Sequence, residues 1–138
     1  MHCNFDFEYE ERQRAMCHCI NIEKINPLKR KEVSAIISQI EDDSFLEKII
    51  IFGSAVRNDC RKDSDLDIAI QWTENCFDED YILKPFTLPI FNIISRVTQG
   101  NNDVVCIGYE GDLKDSISKG VVVYNRNNLD TQENNERE

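Results

Sequence analysis

The stretch from Ile49 to Trp72, IIIFGSAVRNDCRKDSDLDIAIQW, constrains this chain more than any other. Ile49-Ile50-Ile51-Phe52 is an apolar, β-branched run, the pattern of a buried strand. Gly53-Ser54 stops it abruptly and a polar, charged segment follows. Asp65-Leu66-Asp67-Ile68-Ala69-Ile70 then alternates like a second strand with one apolar face. Residues i and i+2 share a face, so Asp65 and Asp67 point one way and Leu66, Ile68 and Ile70 the other. Two carboxylates held that close repel each other unless a cation sits between them. Oxygen-only ligands suit Mg²⁺, which takes one or two protein carboxylates together with substrate phosphates. A Gly-Ser turn just past a strand offers backbone N–H groups and a hydroxyl to a phosphate. The competing reading of Asp65 and Asp67 is a solvated strand edge ahead of an apolar run.

Taken together, Gly53-Ser54, Arg57 and Asp63-Ser64-Asp65-Leu66-Asp67 resemble the DNA polymerase β-like nucleotidyltransferase superfamily. The likeness is strongest to its small, stand-alone minimal nucleotidyltransferases, which use the same ten-residue spacing between Ser54 and Asp65. The resemblance covers Val33 to Tyr124, with the sharp motif confined to Gly53–Asp67. It implies an α/β (α+β) nucleotidyltransferase fold, a small mixed β-sheet of about four strands flanked by helices. It also implies that Gly53, Ser54, Arg57 and Ser64 bind the nucleotide, and that Asp65 and Asp67 hold Mg²⁺ on the triphosphate of an NTP. A third acid on a neighbouring strand completes the metal set for a second Mg²⁺, and Asp103 fits that slot; its other reading is a polar cap at a strand end. Two departures stand out. The family commonly has a glycine where Asn58 sits and often a basic residue where Ala55 sits. Arg57 has two readings, a triphosphate contact or an ion pair with Asp59 or Asp63.

The same resemblance implies a donor, a partner and a role. ATP is the expected donor, AMP the transferred group, and a separate HEPN-type helical protein the expected acceptor, with this chain as antitoxin of a toxin–antitoxin pair. Two other readings stay open: a non-catalytic module that neutralises its partner by docking, and a small-molecule nucleotidyltransferase completed by a second subunit.

Composition bounds these readings. The chain has 138 residues, enough for one domain with a real core. A formal charge of −10 argues against direct nucleic-acid binding, which rewards dense Lys and Arg. No apolar run is long enough to span a bilayer and no signal-type segment opens the sequence, so a cytoplasmic location is expected. In that setting the six cysteines do not imply disulfides. Cys17-His18-Cys19, with His2 and Cys3, lacks the usual zinc spacing, and reduced thiols are the alternative reading. Cys106 sits in an apolar run and reads as a small core residue.

Along the chain, residues 1–26 form an extension of uncertain structure: Asn4–Tyr9 alternates like a strand or extended arm, and Glu10–Ile20 has a weak helical pattern. Residues 27–125 form the nucleotidyltransferase domain. Val33, Ile36, Ile37 and Ile40 lie at i, i+3, i+4 and i+7, which predicts a packing helix over Leu28–Glu41 with Pro27 at its start. Asp42-Asp43-Ser44 breaks it and a strand follows from about Glu47. One or two helical turns are expected over Ser54–Cys60. Asp78 is expected to cap a helix, with Glu79 and Asp80 in its first turn. Pro85 and Pro89 forbid one straight rod, so a second helix is placed from Pro89 to Thr98, and this region offers a wall for an acceptor pocket. Asp103–Ile107 reads as a third strand, Gly111–Lys119 as a short helix capped by Gly120, and Val121–Tyr124 as the last strand. Residues 126–138 are polar and read as a disordered tail.

Overall fold

The computed structural model describes residues 19–41 and 45–127. The expectations for Asn4–Tyr9, for the Asp42-Asp43-Ser44 break and for the tail beyond Asn127 lie outside the described residues, as does nearly all of Glu10–Ile20. At the edge of that segment Cys19 and Ile20 are not helical, and the Ile20 N–H donates to the Val123 carbonyl at 2.9 Å.

The first helix, α1, runs Pro27–Ser38. Its start is overdetermined: Asn26 Oδ1 accepts from the Leu28 N–H at 3.0 Å, and Pro27 fills the first position, where no N–H is needed. Val33, Ile36 and Ile37 are buried. Each such aliphatic side chain contributes about 1.5–3 kcal/mol relative to exposure. The second helix, α2, spans Leu88–Thr98, one residue earlier than expected, behind a short 3-10 turn at Pro85–Thr87. It stops where Gln99 and Gly100 turn left-handed, with φ of 55° and 84°.

Among the described residues four strands form one mixed sheet in the order β3-β2-β1-β4: β1 Leu46–Phe52, β2 Leu66–Trp72, β3 Asn102–Cys106 and β4 Val121–Asn125. Here β1 is antiparallel to both β2 and β4, whereas β2 and β3 are parallel, joined through α2. Parallel neighbours need such a crossover, and a helix is its usual form. One face of the sheet carries Ile49, Ile51, Leu66, Ile68, Ile70 and Val123 into the core with α1 and α2. The other face carries Phe52 and Ala69, which pack with Ile117 of the short helix α3, Lys114–Ser118.

Three expectations need correcting. No helix begins at Asp78. Its carboxylate instead accepts the N–H groups of Asp80 and Ile82 at 2.8 and 3.0 Å, and Phe77 bridges to Leu83 across the turn. A side chain that caps its own turn competes with helix formation, and Pro85 closes the segment from behind. Helical structure after Gly53 is a single 3-10 turn, Gly53–Val56, rather than a segment reaching Cys60. In the last helical region Ile117 is buried but Leu113 is exposed, because the chain there is a 3-10 turn, Gly111–Leu113, leading into α3.

Gly120 follows α3, yet its backbone is not left-handed. It is needed for room: a Cβ there would stand 2.7 Å from both the Ile51 carbonyl and Ile50 Cγ2. Gly120→Ala should therefore push β4 from β1 and cost about 1–3 kcal/mol, the scale of core overpacking, measured by urea unfolding.

Candidate active site

Both motif strands deliver their acids by register. Asp67 pairs directly with Asp103 across the parallel β2–β3 ladder, and both project from the face that carries Ala69 and Val105. Leu66, Ile68 and Ile70 fill the core on the opposite face, so the expected alternation holds. Asp65 is exposed just before β2, Asp103 is exposed, and Asp67 is half-buried. Desolvation, then the neighbouring Asp103 and Asp65 carboxylates, push the Asp67 pKa up to about 6, against a smaller opposing pull from Arg57.

Gly53 lies against this pair. It takes a φ of 73°, and a Cβ at this position would collide with the Asp67 carboxylate. The glycine thus permits both the left-handed turn after β1 and the close approach of that turn to Asp67. Ser54 follows, half-buried in the 3-10 turn.

The remaining predicted residues are engaged locally. Arg57 pairs with Asp59, Nε to Oδ1 at 3.0 Å, and both side chains are exposed. This pairing, led by the Arg57 hydrogen bond, lowers the Asp59 pKa. The Ser64 hydroxyl accepts from the Arg61 N–H at 2.9 Å and closes the loop ahead of Asp65. The two departures from the family pattern acquire a physical reading. Asn58 avoids the left-handed region, so it imposes no strain. Ala55 is fully buried, so its side chain meets core and not solvent.

A cleft of about 530 Å³ runs along the outer edge of β3, lined by Phe77, Leu83, Phe91, Val104 and Tyr109 among others. The region expected to wall an acceptor pocket does reach this edge, through Leu83 and Phe91. Val104 belongs to the sheet face opposite Asp103.

Sequence reasoning missed Asn26 and Lys29. Asn26 Nδ2 donates to the Arg57 carbonyl at 2.8 Å, and its backbone N–H donates to the Ala55 carbonyl at 2.7 Å. Lys29, 2% exposed, donates to the carbonyls of Lys62 and Ser64. The available signal was a lysine four residues before Val33, on the apolar stripe of α1.

The family model Polymerase beta, Nucleotidyltransferase matches residues 34–129, well over half of the chain. The chain belongs to this nucleotidyltransferase family. The four-stranded mixed sheet with three helices is consistent with that fold, and the family supports a transferase activity of the nucleotidyltransferase type. No curated protein and no solved structure matches the chain.

Among the described residues no group of three His, Cys, Asp or Glu side chains is gathered for a metal. Two facing carboxylates with a third nearby, all oxygen donors, nonetheless fit Mg²⁺, which leaves much of its shell to water and phosphate. Of the Cys17-His18-Cys19 cluster only Cys19 is described; it is buried, and burial pushes its thiol up to about 11. Cys106 is buried in the core, as expected. Among the described residues no helix is long and apolar enough to cross a membrane.

The raised Asp67 pKa carries a sign. The folded chain holds this proton more tightly than the unfolded chain from about pH 4 to 6. Ionised Asp67 therefore increasingly destabilises the metal-free fold as pH rises through that window. Asp67→Asn should raise the melting temperature above pH 7 by roughly 3 °C, up to about 1 kcal/mol once solvent screening of a half-exposed group is allowed for. The difference should vanish near pH 4, as read by thermal melts across pH.

Proposed function

We propose that this chain is a Mg²⁺-dependent nucleotidyltransferase that moves AMP from ATP to a hydroxyl of a HEPN-type helical partner, acting as its antitoxin in the cytoplasm. The observation that carries the reading is the register that sets Asp67 beside Asp103, with Gly53 pressed against Asp67, on the nucleotidyltransferase fold.

Asp65, Asp67 and Asp103 would hold two Mg²⁺ ions, which supply charge neutralisation on the triphosphate and on the attacking and leaving oxygens. Gly53 and Ser54 place backbone and hydroxyl donors at the turn that receives the β- and γ-phosphates. Ser64 shapes the loop before Asp65, and Arg57 supplies positive charge beside Asp67. The acceptor oxygen attacks the α-phosphorus in line, the bond from that phosphorus to the bridging oxygen breaks, and pyrophosphate leaves. Asp103, exposed on the outermost strand, takes the hydroxyl proton.

Acidity supports a protein rather than a nucleic-acid acceptor: with a formal charge of −10 the chain repels phosphate backbones and attracts basic protein surfaces. Intact-mass spectrometry of the helical partner after incubation with this chain, ATP and Mg²⁺ tests the reading. One or more AMP additions are expected, lost with the Asp65→Ala, Asp67→Ala double variant. No addition, with tight complex formation by both forms, would leave a docking antitoxin. Labelled nucleotide appearing on a small hydroxyl compound and none on protein would instead indicate a small-molecule enzyme.

A further inference from the structure

The geometry points to Lys29 as a positioning residue of the carboxylate site: from α1 it holds the loop that ends at Asp65, where the chain enters β2 and Asp67. The inference rests on the metal-site reading above. Lys29 is 2% exposed, and its ammonium reaches the Ser64 carbonyl at 2.5 Å, the Lys62 carbonyl at 3.2 Å and Glu32 Oε1 at 3.3 Å. A lysine ammonium has three N–H donors and no acceptor, so three acceptors saturate it. Burying an ammonium is costly unless it is paired and hydrogen-bonded, and an apolar residue would fill this place in the helix at lower cost.

What the buried charge touches gives it its role. Two of its three partners are backbone carbonyls of the segment immediately before Asp65, and Ser64 is the adjacent residue. The same end of α1 grips the other end of that segment, since Asn26 holds the Ala55 and Arg57 carbonyls. The first turn of α1 thus fastens both ends of the connection from the Gly53 turn to β2. The connection's own links include the Ser64–Arg61 pair of hydrogen bonds, which shape the turn without tying it to the core. Groups that orient metal ligands from behind in this way commonly control affinity by roughly 10–100-fold.

Two measurements on the full chain test this. The first is Mn²⁺ affinity, with Mn²⁺ alone as probe and free ion followed by electron paramagnetic resonance. The second is amide hydrogen exchange of the metal-free chain, read on peptides covering 58–66. Lys29→Met keeps an apolar stem of similar length and removes the donors. It should weaken Mn²⁺ binding roughly tenfold or more and speed exchange in 58–66, while exchange in β1 and β4 stays as in the wild type. Affinity within twofold of wild type, or exchange unchanged in 58–66, would overturn the role. A uniform rise in exchange over the whole sheet would also overturn it, by showing a core residue and nothing more. If Lys29→Met does not fold, Lys29→Gln carries the test: its uncharged amide is one bond shorter and has two N–H donors for three acceptors. The same exchange signature is then expected, and its absence would overturn the role. Failure of the metal reading is a separate result: wild-type Mn²⁺ binding that is absent, or that survives Asp67→Asn. In that case the exchange comparison on the metal-free chain still decides whether Lys29 holds the loop.

Discussion

Parallel pairing of β2 with β3 is the constraint on which the site depends. It sets two carboxylates side by side, an arrangement that costs free energy in the absence of a counter-charge. The chain tolerates it because the same register also seats Leu66, Ile68 and Ile70, each fully buried. A slip of one residue would turn all three toward the other face. Burial of each contributes about 1.5–3 kcal/mol, whereas repulsion between partly exposed carboxylates is worth about 1 kcal/mol or less. The apolar face therefore dictates the acid face.

The two sides of the sheet divide the labour. One is closed by α1 and α2 and holds nearly all of the large buried side chains. The other is covered only in part, by Ile117 over Phe52 and Ala69, and carries Asp67 and Asp103. Gly53 sits at the junction, where β1 leaves the core and the chain turns onto the acid-bearing face. Its missing side chain does two things at once, since both the left-handed φ and the contact with Asp67 exclude any larger residue.

Much of this was legible in the sequence because it depends on local pattern. Period-two alternation located β2 and the face of Asp67 opposite Leu66, Ile68 and Ile70, and the i, i+3, i+4, i+7 stripe located α1. Pro89 and the Gly100 turn bracketed α2 closely. Less legible were features set by partners remote in sequence. No local signal states that β3 lies parallel to β2 with Asp103 opposite Asp67; resemblance put Asp103 only on a neighbouring strand, and the register is the structure's. Asp78 misled because a good helix cap is also a good turn-former, and only the Phe77–Leu83 bridge separates the two. Lys29 escaped notice because its partners are backbone carbonyls more than thirty residues away, which no side-chain pattern reveals.

Among the described residues β3 has a single neighbour in the sheet, so Asp103 lies on an edge strand. That same edge borders the cleft of about 530 Å³ that Phe77, Leu83 and Phe91 help to line. For the proposed transfer to a partner, docking would raise the effective molarity of one of the partner's own hydroxyls at this edge. Such an edge would admit a body of any bulk and would respond to how that body is held.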